Sequence, residues 1–160
     1  HGLLAQLMLL LDGTSASAIA VDPALPPSAA KVHEALCRTW PRLSGRVAFL
    51  EDRIEDVVIE RDDVVVSSHA CGTVTDGVLE RAVSARARVA VLPCCHDLDR
   101  PEGRALRGWL DGALAADVAR AVRLEQAGYR VWTQQISADI TPKRRWLAGA
   151  PLASAPIARR

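Results

Sequence analysis

The stretch DVVVSSHACGTVTD, residues 63–76, decides the predicted fold together with a second stretch, RVAVLPCCHD, residues 88–97. Each is a short apolar run, rich in valine, that ends abruptly in histidine, cysteine and turn-forming residues. A continuous run of this kind is typical of a strand that is buried on both faces, as in a parallel sheet. Because helical patterns follow both runs, we expect the two strands to point the same way, with their carboxyl ends at one edge of the sheet.

Histidine and cysteine side chains are predicted to crowd that edge. In open α/β sheets, ligands bind in the crevice outside the carboxyl ends of the strands. The first stretch contributes His69 and Cys71, and the second contributes Cys94, Cys95 and His96. On an extended chain, His69 and Cys71 leave the same face, whereas the adjacent Cys94 and Cys95 point to opposite faces, so that at most one of these two joins the cluster. We interpret this crevice as the candidate active site.

The composition is that of one ordinary globular domain. The chain has 160 residues, of which 49% are hydrophobic and 24% charged, and this length allows a single domain with a substantial core, residues 1–160. The 20 basic and 19 acidic side chains leave a net charge of +1, which excludes the whole-chain positive field typical of a nucleic-acid binder. Four cysteines, two of them adjacent, do not resemble a secreted disulfide framework, and we expect a reducing, cytoplasmic setting. The apolar residues 1–13 lack signal-peptide features and are too short to span a bilayer.

Strand and helix patterns alternate along the whole chain, which predicts a doubly wound, Rossmann-like α/β fold. A nucleotide-binding sheet of this type begins with a strand and a glycine-rich turn, and neither precedes the helix predicted over residues 2–11. Without that strand, the strands that end at Asp22 and Ser68 would face an empty slot in the sheet, and unpaired backbone groups there are costly. We therefore expect either that the missing first strand and Gly-rich loop lie upstream of His1 or that the fold is incomplete.

The two motifs resemble those of class I S-adenosylmethionine-dependent methyltransferases, in the branch with HxCGxxTD after the fourth strand and a PCCH-like motif after the fifth. Here they are residues 69–76, HACGTVTD, and residues 93–96, PCCH. That branch includes tRNA ribose methyltransferases and many proteins of unassigned substrate. Residues 140–147, ITPKRRWL, are similar to the family's ITPxNRLL tail, with Arg144 in place of the usual asparagine. The resemblance covers nearly the whole chain and implies S-adenosylmethionine as the cofactor.

The resemblance also implies a set of cofactor-binding residues. Gly2 matches the last glycine of a GxGxG motif, where the backbone approaches the cofactor closely at a helix N-terminus. Asp22 matches the carboxylate that accepts hydrogen bonds from the ribose hydroxyls, and an acid at the end of the second strand of a nucleotide fold indicates the same role. Asp52 is the candidate for the adenine amino group, with Glu51 and Arg53 as competitors. The expected cofactor-binding set is Gly2, Asp22, Asp52, Ser68 and His69.

The histidines and cysteines of the crevice allow several kinds of chemistry. In the reading that the family favours, His69 or His96 orients or deprotonates the methyl acceptor, as imidazole does near neutral pH. Cys94 or Cys95 as a nucleophile resembles C5-pyrimidine methyltransferases. Cysteine also packs as a small buried hydrophobe, which is the role expected of Cys37. The expected catalytic set is His69, Cys71, Pro93, Cys94, Cys95 and His96, and it includes no metal.

Two other classes of function stay open. The His-x-Cys and Cys-Cys-His groups could supply four zinc ligands, although spaced Cys-x-x-Cys pairs are absent. The chain could instead be a binding module that keeps the cofactor fold without catalysis. For the acceptor, RNA is favoured narrowly over a small molecule or a protein. The cluster KRRW, residues 143–146, and Arg159 with Arg160 could meet phosphates, with the tryptophan stacking on a base, although such a cluster is more often a solvated turn.

Overall fold

The computed structural model describes residues 1–98 and 103–153. The chain divides into two compact units, unit 1 over His1–Val58 and unit 2 over Ile59–Arg160. Helices and strands alternate in both units, as the sequence predicts for an α/β protein. In the described part of the chain, no helix is both long enough and apolar enough to cross a membrane.

Unit 1 is built around a parallel pair of strands. Its elements are α1 (Leu3–Leu11), β1 (Ala18–Asp22), α2 (Ser28–Thr39), a 3₁₀ helix (Pro41–Leu43) and β2 (Val47–Glu51). The register pairs Ala18 with Val47 and Asp22 with Glu51, so that both carboxylates lie at the carboxyl ends of their strands. Pro41 follows directly after α2 and its cap residue, as expected of a residue without a backbone N–H.

Unit 2 contains a four-stranded sheet in the order β3-β4-β6-β5. Its elements are β3 (Val64–Ser68), α3 (Thr73–Ala85), β4 (Arg88–Leu92), a 3₁₀ helix (Arg104–Leu106), α4 (Gly112–Gln126), β5 (Tyr129–Gln135) and β6 (Arg145–Pro151). The two motif-bearing strands, β3 and β4, are neighbours and parallel, which confirms the prediction, and β6 runs antiparallel to both β4 and β5. Both motifs therefore follow strands that end at the same edge of the sheet.

The burial of the two motif-bearing strands differs. Val89 and Val91, which lie on one face of β4, are buried, whereas Ala90 on the other face is half-buried. Val64 of β3 is exposed, because β3 is an edge strand of the described sheet, and the expectation of burial on both faces is wrong for it. At the other end of unit 2, the buried Tyr129 donates its hydroxyl proton toward the carbonyls of Ala82 and Ala87, at 3.0 and 2.9 Å. A buried phenol needs such partners, and this one ties α3 to β5.

Helix α4 buries a different face from the one that its apolar spacing predicts. Asp111 caps the helix, with Oδ1 accepting the backbone N–H of Leu114 at 2.9 Å. The predicted apolar stripe consists of Leu110, Leu114, Val118 and Val122. The residues that the helix buries are Ala115, Arg120 and Leu124, and Val122 is exposed. Arg120 forms an ion pair inside unit 2, whereas Leu114, Val118 and Val122 of the apolar stripe line a cleft.

Candidate functional site

Two backbone hydrogen bonds hold the two motif loops of unit 2 together. The N–H of His69 donates to the carbonyl of Leu92 at 3.4 Å, and the N–H of Gly72 donates to the carbonyl of Cys95 at 3.1 Å. One bond lies on each side of Cys71 in the first loop. The loop after β3 is therefore fastened both to the last residue of β4 and to the loop that follows it.

His69 leaves β3 in a left-handed backbone conformation, with φ 64°. Arg86 is the only other described non-glycine residue with a positive φ. It caps the C-terminal end of α3, where this conformation is common. Histidine enters the left-handed region more readily than most residues, although at some cost in energy. β3 ends at Ser68, so the expectation that His69 and Cys71 share one face of an extended strand is wrong. The His69 side chain is exposed at the edge of the sheet.

Gly72 has a backbone conformation that only glycine adopts easily, with φ 57° and ψ −121°. It stands at the N-cap of α3, and its carbonyl accepts a hydrogen bond from Arg120 Nη2 at 3.1 Å. This glycine thus connects the first motif to α4 as well as to Cys95. A side chain at this position would strain the turn that presents His69 and Cys71.

The sulfur atoms of Cys71, Cys94 and Cys95 lie within 4.8 Å of one another, and we call these residues the cysteine cluster. The Sγ atoms of Cys71 and Cys94 are 3.2 Å apart. The prediction that Cys94 and Cys95 diverge is wrong, because β4 ends at Leu92 and the buried Pro93 begins a loop before the two cysteines. Cys94 is buried, whereas Cys71 and Cys95 are exposed.

Hydrogen bonding among the thiols separates their acidities. Interaction with Cys94, and then with Cys95, raises the pKa of Cys71 to about 11. Hydrogen bonds from Cys71 and then Cys94 lower the pKa of Cys95, and the positive charge of Lys143 acts in the same direction. Of Cys71 and Cys95, Cys95 therefore tolerates a negative charge better, and the thiolate is the reactive form of cysteine.

His96 does not join the cysteine cluster. Its Nε2 lies 2.7 Å from Asp117 Oδ1, and its side chain is only 7% exposed. The other oxygen of Asp117, Oδ2, accepts from Arg145 Nε at 2.7 Å, and Oδ1 also faces Arg120 Nη1 at 3.2 Å. Asp117 thus orients the imidazole of His96 in a closed environment, whereas the imidazole of His69 is open to solvent.

Arg120 also forms a two-point ion pair with Asp76, the last residue of the first motif. Its Nε and Nη2 lie 3.0 and 3.1 Å from the two carboxylate oxygens, and the side chains of Arg120 and Asp76 are 4% and 7% exposed. Arg123 Nη2 approaches Asp76 Oδ1 at 2.7 Å. Burial favours the neutral acid, but hydrogen bonds and charge from Arg120, together with Arg123, hold the pKa of Asp76 below its ordinary value.

These contacts form one charged network that joins α3, α4, β6 and the loop after β4. It contains Asp76, His96, Asp117, Arg120, Arg123 and Arg145. Each of the three segments that carry the family resemblance contributes at least one member. Sequence reasoning missed the three members on α4, although Asp117, Arg120 and Arg123 recur every three residues on one helix face, and this spacing was the available signal.

A cleft of about 520 Å³ opens in unit 2 between α4 and the strands β5 and β6, next to Pro93. Its lining includes Pro93, Asp117, Val118, Gln135, Arg145 and Trp146. The volume lies in the range of about 300–1,000 Å³ that is usual for small-molecule sites. The lining combines an aromatic ring, apolar side chains, a carboxamide and part of the charged network, and it includes neither His69 nor the cysteine cluster.

In unit 1, Gly2 stands at the N-cap of α1 with φ 64°. A Cβ atom there would lie 2.6 Å from Phe49 Cε1 and 2.9 Å from the Cβ of Ala20. Both the conformation and the close packing therefore require glycine. At the other end of α1, Gly13 has a φ outside the left-handed region, although the sequence Asp12-Gly13 is typical of a left-handed helix cap.

The acidic candidates lie where β1 and β2 end. The half-buried Asp22 is the last residue of β1, and its Oδ1 accepts the N–H of Ala24 at 3.1 Å. Asp52 donates its N–H to the carbonyl of Asp22 at 3.2 Å, which places the two residues side by side. Of the competitors, Glu51 accepts the N–H of Leu25 at 3.2 Å and Arg53 pairs loosely with a nearby glutamate, and both are exposed.

We expect Gly2→Ala to lower the free energy of unfolding by about 1–3 kcal/mol. The alanine would have to adopt a left-handed backbone conformation, and its methyl group would also clash with Phe49. The matched control is Gly13→Ala, since a Cβ at Gly13 meets no atom within 4 Å. Urea denaturation of both variants measures the difference. Equal stability of the two variants would show that the packing around Gly2 relaxes freely.

Comparison with known proteins places this arrangement in a family. The family model described as a methyltransferase domain matches residues 3–100. No curated protein matches the sequence. Among solved structures, the chain is similar to an O-methyltransferase of neocarzinostatin biosynthesis in complex with S-adenosylmethionine and 2-hydroxy-5-methyl naphthoic acid, with a TM-score of 0.54 and 19% identity over 94% of this chain. It is also similar to an uncharacterised protein from Listeria monocytogenes serotype 4b, with a TM-score of 0.53 and 15% identity over 100% of this chain.

The chain spans 46% of the length of the first of these proteins and 61% of the second. At these identities the likeness concerns the fold, and it confirms the predicted Rossmann-like α/β class. The family model, from residue 3 to residue 100, covers more than half of the 160 residues. The chain therefore belongs to the methyltransferase domain family.

Proposed function

We propose that this chain transfers a methyl group from S-adenosylmethionine to an acceptor, and that residues 1–160 act as a single methyltransferase domain. The match to the family model supports this, because it runs through the boundary between the two units at Val58. The similarity in fold to an O-methyltransferase with bound S-adenosylmethionine supports the choice of cofactor. A binding module without catalysis is the alternative.

The observation that carries the cofactor assignment is Asp22, a carboxylate at the end of β1 in a unit whose first helix starts at a left-handed glycine. Asp22 would accept hydrogen bonds from the two ribose hydroxyls, and Asp52 beside it would accept one from the adenine amino group. A carboxylate in this position is what ribose recognition in a nucleotide fold requires. Gly2 lies at the N-terminus of α1, where the lack of a side chain would allow the methionine part of the cofactor to approach the backbone closely. When bound, S-adenosylmethionine supplies an electrophilic methyl group on a sulfonium ion.

We expect Asp22→Ala to lower the affinity for S-adenosylhomocysteine by roughly 2–4 kcal/mol, because two hydrogen bonds to a charged acceptor are lost. Calorimetry with the purified protein measures this. Asp56→Ala is the control, since Asp56 is an exposed acid of the same unit. If the Asp22 and Asp56 variants bind with equal affinity, Asp22 has no role in binding, but the cofactor assignment stands. If the unaltered protein does not bind S-adenosylhomocysteine, the cofactor assignment is overturned.

His69 is the residue that we propose as the base. Its exposed imidazole at the end of β3 can take the proton that an acceptor oxygen or nitrogen loses as it is methylated. His96 is a positioning residue in this proposal, because its Nε2 is engaged by the buried Asp117. The proton transfer needs none of the three cysteines as a nucleophile.

For the acceptor we propose a small molecule rather than RNA. Arg145 of the basic cluster is half-buried and paired with Asp117, which leaves Lys143 and Arg144 as the exposed cations of that cluster. Arg159 and Arg160 lie outside the described residues. The cleft that contains Trp146 has the size of a small-molecule site.

Tritiated S-adenosylmethionine offered with RNA, protein and metabolite fractions tests this choice. We expect the label in the metabolite fraction. Label that ribonuclease releases from RNA, and from tRNA in particular, would instead support the resemblance to tRNA ribose methyltransferases. Label in no fraction, from a protein that binds the cofactor, would favour the binding module.

A further inference from the structure

We infer that Cys71, Cys94 and Cys95 form a zinc site with three thiolate ligands and one coordination position open to solvent. The observation is the convergence of three sulfur atoms from two loops within 4.8 Å of one another. Thiolates select zinc and other soft or borderline cations. This inference does not depend on methyl transfer, because it concerns three side chains to which the proposed mechanism assigns no step.

The spacing of the sulfur atoms suits one shared ion. A Zn–S bond of about 2.3 Å separates two sulfur ligands by about 3.8–4.0 Å in tetrahedral or trigonal geometry. The cluster has one separation of 3.2 Å, between Cys71 and Cys94, and all of its separations stay below 4.8 Å. Each sulfur therefore needs to move by less than about 1 Å to reach that geometry.

The loops that carry the cysteines are held in place by the protein itself. Gly72, next to Cys71, donates its N–H to the carbonyl of Cys95 at 3.1 Å, and this bond joins the two loops within the cluster. The carbonyl of Gly72 accepts a hydrogen bond from Arg120, and Cys94 is buried. Preorganised ligands cost less ordering entropy when the ion binds.

The fourth position is the feature that distinguishes this site from a structural zinc site. Structural sites are closed by four protein ligands, whereas three protein ligands leave a place for water or another donor. Within residues 1–98 and 103–153, no histidine or carboxylate joins the three sulfur atoms. Cys71 and Cys95 are exposed, so solvent can reach the ion on their side.

The test is a zinc titration of the fully reduced, chelator-treated chain in competition with a chromophoric zinc indicator. We expect one zinc ion per chain. Cys71→Ser and Cys95→Ser should each weaken binding by more than about 100-fold, beyond the usual loss for a residue that only supports a ligand. Cys37→Ser is the matched control, because Cys37 is the one cysteine outside the cluster, and it should leave the affinity unchanged. The exposed positions of Cys71 and Cys95 keep the test valid even if Cys94→Ser fails to fold.

Cobalt in place of zinc tests the open position. A thiolate-to-cobalt charge-transfer band should appear in the wild-type protein and be lost in the Cys71 and Cys95 variants. Added imidazole should then shift the visible cobalt bands, because it enters the fourth position. The zinc site is overturned if the reduced chain fails to bind stoichiometric zinc, or if the Cys71, Cys95 and Cys37 variants bind zinc equally well. The open position is overturned if imidazole leaves the cobalt bands unchanged.

Discussion

Replacing Arg120 with methionine is expected to lower the free energy of unfolding by about 3–5 kcal/mol. The guanidinium group is almost fully buried and holds both oxygens of Asp76, at 3.0 and 3.1 Å. Methionine fills much of the same volume but leaves Asp76 with Arg123 as its remaining charged partner in the described network. Removing a main cationic partner of a buried carboxylate costs far more stability than removing a contact at the surface.

Urea denaturation at neutral pH measures this loss, and Arg38→Met provides the control. Arg38 also forms an ion pair on a helix, with Glu34 at 2.7 Å, but the two side chains are 68% and 70% exposed. Its replacement should cost about 0.5 kcal/mol or less. Arg120→Lys should fall between the two variants, because it keeps the charge but not the two-point geometry. If Arg120→Met and Arg38→Met have the same effect, the network does not stabilise the fold.

The effect of Arg120→Met should also depend on pH in a definite direction. The network lowers the pKa of Asp76, so its contribution is fully present above the ordinary aspartate pKa of about 4 and disappears as the pH falls through the folded-state value. The difference in stability between the wild-type protein and Arg120→Met should therefore shrink as the pH drops below about 4. A difference that stays constant under acid would mean that Arg120 acts through packing.

Replacing His69 with asparagine is expected to reduce turnover by about 100-fold or more, the usual scale for a positioned acid–base group. Asparagine is the sharper replacement here than alanine, since it tolerates the left-handed conformation that His69 adopts, with φ 64°. The variant should keep its thermal stability. Steady-state kinetics with the acceptor found in the labelling assay measures turnover.

His96→Asn provides the contrast to His69→Asn. Its imidazole is buried against Asp117, so we expect this variant to lose stability as well as turnover. Unchanged turnover in His69→Asn would exclude that residue from the proton transfer. A covalent adduct with the acceptor that requires Cys95 would favour the nucleophile, in line with the lowered pKa of that thiol.

The sequence alone was sufficient for the local structure around the two motifs. The valine-rich runs predict β3 and β4, and the helix that follows each run predicts their parallel direction, because burial and backbone propensity act over a few residues. The role of Gly2 at the start of α1 was implied by the resemblance to the methyltransferase glycine motif. Parallel neighbouring strands have their carboxyl ends at the same edge of a sheet. This rule predicted one common edge for His69, Cys71, Cys94 and Cys95.

The tertiary structure alone decided which side chains meet at that edge. An extended strand separates Cys94 from Cys95, but β4 ends before them, so the path of the loop brings both sulfur atoms to Cys71. Arg120 is buried because it pairs with Asp76, 44 residues away in the sequence. Hydrophobic periodicity indicates which face of a single helix or strand is apolar. The pairing of distant charges depends instead on how α3 and α4 pack, and the local sequence of either helix does not contain that information.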